Sequence, residues 1–203
     1  MVINMSSFIP KINRDELKEI QLKGLKWTVH HVYNNSSFYR QRFKENNVTP
    51  DDIKTLEDIR KLPFITAEDL REQYPWPLLS VPFEKVVRIH ASSGTTGKRK
   101  VMVYTQKDID DWANMFARVY EMAGLSREDR VQIAVGYGVW TAGAGFQYGC
   151  ERFGAIAIPI GPGNIDMQCQ FLVDFKSTVL CCTASMALLL GEEVVKRELQ
   201  NKI

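Results

Sequence analysis

The chain has 203 residues, a formal net charge of +2, 45% hydrophobic residues and 25% charged residues. Length suits one domain or two small ones, and this composition excludes intrinsic disorder. No long Lys/Arg block and no apolar run of membrane-spanning length occurs, so neither a nucleic-acid partner nor a membrane partner is expected.

In chain order, residues 1–10 lack a basic segment followed by an apolar core, the pattern of a secretory signal, and a cytoplasmic protein is expected. Residues 1–85 read as a helical N-terminal segment. Asn13 is a cap, with Asp15 and Glu16 in the first helical turn. Leu17, Ile20, Gly24, Trp27 and His31 recur at helical spacing and predict the buried face of that helix. A second helix runs through Phe38, Tyr39 and Phe43 to Asn46-Asn47, and Pro50 marks the next turn. Thr55-Leu-Glu-Asp58 and Thr66-Ala-Glu-Asp69 are both Thr-x-x-acid openings and predict two more short helices. Pro75, Pro77 and Pro82 then predict an extended stretch.

The pattern changes at residue 86. Residues 86–90 and 100–104 alternate like strands and flank Ala91-Ser-Ser-Gly-Thr-Thr-Gly-Lys-Arg99. Thr105 and Asp108 open a helix to about residue 123. Beyond it, strands are expected over 130–135, 155–160 and 178–182, and helices over 141–153, 165–175 and 185–200. The order β-α-β-α-β-α favours a parallel sheet, so residues 86–203 read as an α/β region.

Ser92, Ser93, Gly94, Thr95, Thr96, Gly97 and Lys98 form the segment that points to chemistry. Two glycines admit positive φ, successive N–H groups can form an anion nest, and four hydroxyls with an ammonium suit a polyphosphate. The spacing is not that of a Walker A loop, and the flanks are strands, so a helix dipole is not the source of attraction. The bland alternative is a polar hairpin turn.

A second segment, Tyr137, Gly138, Trp140 and Thr141, follows a predicted strand, where ligands of α/β sheets collect. Tyr137 and Trp140 offer flat apolar walls for an aromatic acid. Helix–sheet packing, with Trp140 in the core, is the alternative. Gly143-Ala-Gly145 lacks the last glycine of a dinucleotide fingerprint. Tyr148-Gly-Cys-Glu151 falls inside a predicted helix and reads as packing. Cys150, Cys169, Cys181 and Cys182 read as reduced thiols, and the three histidines as structural or surface residues, with no metal site.

Ser-Ser-Gly-Thr-Thr-Gly-Lys resembles the phosphate loop of adenylate-forming enzymes. Ser37-Phe-Tyr-Arg40, Leu56-Glu-Asp-Ile-Arg-Lys-Leu-Pro-Phe64, Asp69-Leu-Arg71 with Tyr74-Pro75, Val87-Arg-Ile-His-Ala-Ser-Ser93 and Gly136-Tyr-Gly-Val-Trp-Thr141 resemble the phenylacetate–CoA ligase branch in particular. The resemblance implies an incomplete N-terminal part of the adenylate-forming fold, with residues 86–203 as the first part of the large ATP-binding domain. It implies ATP and CoA as substrates with Mg2+ as the phosphate partner, an aryl acid as the acyl donor, and no tightly bound cofactor. It places residues 92–98 on the ATP phosphates and Tyr137, Gly138, Trp140 and Thr141 at the acyl pocket. Val139-Trp140 departs from the Leu-Phe that the family often shows there. Family members run well beyond this length, and their catalytic residues, including a mobile-domain lysine, are expected in the missing C-terminal half. Dimers are a common family form. Three readings stay open: an aryl-acetate–CoA ligase portion, an adenylating enzyme for another acid or acceptor, and a non-catalytic α/β binding module.

Overall fold

Two local rules decide how the first hundred residues fold: capped helical turns and one hairpin. The computed structural model describes residues 7–76, 78–94 and 97–203. By their contacts they form two units, residues 10–106 and residues 107–203 with the segment up to Ile9.

In the first unit, α1 (Arg14–Asn35) starts on a capping box: Asn13 Oδ1 accepts from the N–H groups of Asp15 and Glu16, and Glu16 answers the Asn13 N–H at 2.8 Å. The expected buried face is corrected. Leu17, Ile20 and Trp27 are 42%, 57% and 65% exposed, and Trp27 stacks on His31 at 4.9 Å. The buried stripe is instead Leu25, Val29 and Val32, packed with Phe43 of α2 (Ser37–Glu45) and Ile53. Both stripes have helical spacing. Val29 and its neighbours win because Phe43, Tyr39 and Leu62 meet them.

Thr49, Thr55 and Thr66 each open a capping box, with Asp52, Asp58 and Asp69. The first two head short 3₁₀ turns and the third heads α3 (Ala67–Glu72). Asp69 is buried, accepts the Thr66 N–H at 2.7 Å and pairs with Arg42. Residues 73–76 form a turn with a cis Tyr74–Pro75 bond, and Pro82, with φ −57° and ψ 140°, leads into a 3₁₀ turn, so the proline-rich stretch is not extended at its start; Pro77 lies outside the described residues. β1 (Val86–Ala91) and β2 (Val101–Thr105) pair antiparallel, Ala91 opposite Val101, with an irregularity between Val86 and Arg88.

The second unit begins with α4 (Gln106–Met122), most of which lies in it. β3 (Arg130–Ile133), β4 (Ile156–Ile158) and β5 (Val179–Cys181) form the expected parallel sheet in the order β4-β3-β5. α5 (Ala142–Phe153), α6 (Ile165–Asp174) and α7 (Ala184–Lys196) alternate with the strands. The core gathers Ala117, Tyr120, Val131, Ile133, Val135, Cys150 and Phe153. Glycines bring α5 close to α4: a Cβ at Gly145 would stand 2.8 Å from Trp112 and Phe116, and one at Gly149 2.1 Å from Phe116 Cβ.

Two outcomes follow. Gly149→Ala must push α4 and α5 apart and is expected to lower unfolding free energy by about 3 kcal/mol in a urea titration. For pH, Asp52 and Asp69 are held below the usual carboxylate range, first by the N–H of Thr49 and Thr66 respectively. Asp58 is held there first by Lys61 and then by the N–H groups of Thr55 and Lys54. Groups with depressed folded-state values contribute stability fully above the unfolded carboxylate range, about pH 4, and lose it as pH falls through the folded values. Melting temperature is therefore expected to drop steeply below about pH 4, and Asp69→Asn to flatten part of that drop.

Candidate functional site

The seven-residue segment sits at the tip of the β1–β2 hairpin. Its neck is closed twice: the Ser92 N–H donates to the Lys100 carbonyl, and the Lys100 N–H donates to Ser92 Oγ, both at 3.0 Å. Ser92's hydroxyl thus accepts a structural bond and still has its own proton to donate. Arg99 reaches back to the Ser92 carbonyl at 3.1 Å, and its Cγ lies against Gly94. Gly94 and Gly97 have φ of 75° and 123°, so both need the freedom glycine has. The Gly97 N–H bonds to the Gly94 carbonyl at 3.3 Å, which engages that amide inside the turn.

Among the described residues of the loop, Ser92, Ser93, Gly97, Lys98 and Arg99 are exposed and Gly94 half-buried. Lys98 Nζ rests 5.8 Å above the Tyr74 ring, a cation–π contact that holds the ammonium beside the turn. Thr95 and Thr96 lie outside the described residues. Arg99 and Tyr74 were not among the residues expected here. Lys98-Arg99-Lys100 was a signal for the former, whereas nothing local links Tyr74 to a loop about twenty residues away.

The second segment occupies the carboxyl end of β3. Tyr137 is half-buried and packs on the core; Gly138 (φ 86°) turns the chain; Trp140 is 52% exposed; Thr141 precedes α5. Trp140 is therefore not a core residue. Its ring covers Gly136, where a Cβ would stand 3.3 Å away, and leaves a flat apolar face in solvent. Tyr137 lies against Gly143, which admits its ring only because it lacks a side chain: a Cβ there would stand 2.7 Å from the ring. Its hydroxyl is buried without a hydrogen-bond partner and is pushed up to about 12, by burial first and then by Glu151. Tyr137, Gly138, Trp140 and Thr141 thus share one turn, but the Tyr137 ring faces inward and the Trp140 ring outward.

A missed partner is the turn after β4. The Gly161 N–H bonds to the Ile133 carbonyl at 3.0 Å, and a Cβ at Gly161 would stand 3.9 Å from the Tyr137 ring. The Gly161-Pro-Gly163 run was its signal in the sequence.

Other candidates resolve into packing. Tyr148-Gly-Cys-Glu151 lies within α5, with Gly149 and Cys150 buried. Burial, then Cys181, pushes the Cys150 thiol up to about 12, which denies it a nucleophile's thiolate. Among the described residues no group of three or more His, Cys, Asp or Glu side chains is placed to hold a metal. No helix among them is long and apolar enough to cross a membrane. A shallow cavity of about 530 Å³ lies on α7, lined by Ala187, Leu188, Gly191, Glu192, Val195 and Lys196.

No protein-family model matches the chain. It is 48% identical over 183 residues to the phenylacetate-coenzyme A ligase of Escherichia coli (strain K12), covering 90% of this chain and 42% of that protein. It is 45% identical to the phenylacetate-coenzyme A ligase of Pseudomonas putida, with the same coverage of 90% and 42%. Its fold matches a crystal structure of 2-hydroxyisobutyryl-CoA ligase in complex with 2-HIB-AMP and CoA. The TM-score is 0.86 at 26% identity, over 92% of this chain and 41% of that one. The chain therefore spans about two-fifths of the length of the curated relatives it matches.

Leaving a buried hydroxyl unpartnered costs roughly 1–3 kcal/mol, so Tyr137→Phe is expected to keep or raise stability in thermal melts. A loss above about 1 kcal/mol would reveal a partner for that hydroxyl.

Proposed function

We infer, taking as premise that this chain is a sequence relative of the phenylacetate-coenzyme A ligases and corresponds to their N-terminal part, that it forms the ATP-handling front of an aryl-acetate–CoA ligase. The observation that carries this reading is the open, glycine-kinked loop at the hairpin tip, with its neck closed on itself and two cationic side chains beside it. A plain hairpin turn requires none of these.

In the reaction, a carboxylate oxygen attacks the α-phosphorus of ATP. The bond to the β-phosphate breaks, giving acyl-adenylate and pyrophosphate. The sulfur of CoA then attacks the acyl carbon and AMP leaves, giving the thioester. The first step brings two anions together and moves negative charge onto pyrophosphate. Donors of residues 92–98 offset that charge, and holding the reactants in line supplies much of the rest. Lys98 would leave the face of Tyr74 for the phosphates, an exchange of a contact worth about 1 kcal/mol for a charge-assisted one. The exposed face of Trp140 is suited to stack on an aromatic acid.

Magnesium would travel with ATP, and no side chain of this chain is assigned to it. The remaining catalytic groups belong to the rest of such an enzyme. The apolar stripe Ala187, Leu188 and Val195 on α7 suits its docking, with a second copy of the chain as the competing occupant. Four free cysteines fit a reducing, cytoplasmic setting. A second reading, activation of a smaller acid, is favoured by the likeness to 2-hydroxyisobutyryl-CoA ligase.

Calorimetry of the chain with ATP and with pyrophosphate tests the loop. Binding of both is expected, weakened at least about tenfold by Lys98→Ala through the lost charged bond. Gly94→Ala is expected to act similarly, because its φ of 75° and the Arg99 contact both exclude a side chain. Binding unchanged in both variants would contradict the assignment.

A further inference from the structure

Gln132 in β3 and Gln168 in α6 are both fully buried. The Gln132 side-chain amide donates to Gln168 Oε1 at 2.7 Å and to the Gln168 carbonyl at 3.1 Å. The Ser177 hydroxyl donates to Gln132 Oε1 at 2.9 Å. At the other end, the Gln168 amide donates to the carbonyls of Gly161 and Gly163 at 2.8 and 3.3 Å. Two carbonyls can be met only by an NH₂, so Gln168 Oε1 must face the Gln132 NH₂, and Gln132 Oε1 must face the hydroxyl. Each amide thereby uses its oxygen and both its hydrogens.

The chain of bonds ends on a turn that needs holding. Gly161, Gly163 and Asn164 have φ of 78°, 76° and 44°, three left-handed residues within four. The Gly161 N–H ties the turn to the end of β3, and Gly161 stands beside the Tyr137 ring. An apolar pair at positions 132 and 168 would fill the core equally well. What only the amides supply is a fixed direction for the Gly161 and Gly163 carbonyls.

We propose that Gln168 is a positioning residue for acid selection: it holds the 161–164 turn against the Tyr137 ring and so fixes where that ring stands for the acyl group. This rests on the reading of Tyr137 as part of the acyl pocket. Gln168 touches no substrate; it acts through the turn.

The test uses Q168M, which keeps volume and removes the donors, and S177A, which loosens only the far end of the network and keeps the test open should Q168M fail to fold. Hydrogen exchange of peptides spanning 159–164 is expected to quicken about tenfold in Q168M and about threefold in S177A, with the β1–β2 hairpin unchanged. Unchanged exchange of the turn in the folded variants would overturn the positioning claim. Saturation-transfer NMR with phenylacetate and the bulkier 2-naphthylacetate reads selection. The unmodified chain is expected to prefer phenylacetate, and Q168M to cut that preference about threefold or more. A loosened turn with unaltered preference would overturn the selection claim. Contact with neither acid in the unmodified chain would strike the acyl-pocket reading, whereas the exchange result would still judge Gln168's hold on the turn.

Discussion

A hairpin turn can present donors to a ligand only if the strands below it satisfy their own backbone groups. Here the two-way bond between Ser92 and Lys100 does that. It ends the β1–β2 ladder cleanly, so that Ser93 and Lys98 beyond it are not needed to close the hairpin. Arg99 reinforces the neck through the Ser92 carbonyl. The same arrangement explains why not every residue of the loop has the same role. Ser92 is half structural and Gly97 folds the turn on itself, whereas Ser93 is exposed and Lys98 rests over the Tyr74 ring.

The second unit solves a different problem. Among the described residues its sheet is three strands wide, and its binding candidate is a turn at a strand's carboxyl end. Small residues fix that turn. Gly143 admits the Tyr137 ring, Gly145 and Gly149 let α5 lie against α4, and Gly161 carries the neighbouring turn up to Tyr137. Any side chain at Gly143, Gly145 or Gly149 would shift α5 and with it the first helical residues after Thr141. Buried amides do the corresponding work from inside the core, where Gln132 and Gln168 direct carbonyls instead of filling space.

Local signals were legible where the cause is local. The Thr55 and Thr66 boxes, the Asn13 cap, the hairpin and the alternation of strands with helices could all be read from residue types a few positions apart, whereas the Thr49–Asp52 box lay hidden behind the turn marked by Pro50. The parallel sheet order was consistent with that alternation. The buried face of α1 was misread because two stripes share helical spacing and only Phe43 and Ile53, distant in sequence, choose between them. Within the candidate sites, the glycine pattern foretold the turns, since Gly94, Gly97 and Gly138 all have positive φ. Tyr74 and Gln168 carry no local signal because each acts through a contact made only by folding, whereas Arg99 and Gly161 lie in runs whose residue types mark them. Tyr137 shows the converse: its position was readable and its inward direction was not.

The most direct measurement is residue-resolved amide NMR of the chain during titration with inorganic pyrophosphate. Shifts are expected to concentrate at residues 93–98, with a perturbed Tyr74 ring as Lys98 departs and the Ser92–Lys100 neck protected throughout. Shifts that spare this loop, or that gather on another surface at the same pyrophosphate concentration, would contradict its assignment to phosphate.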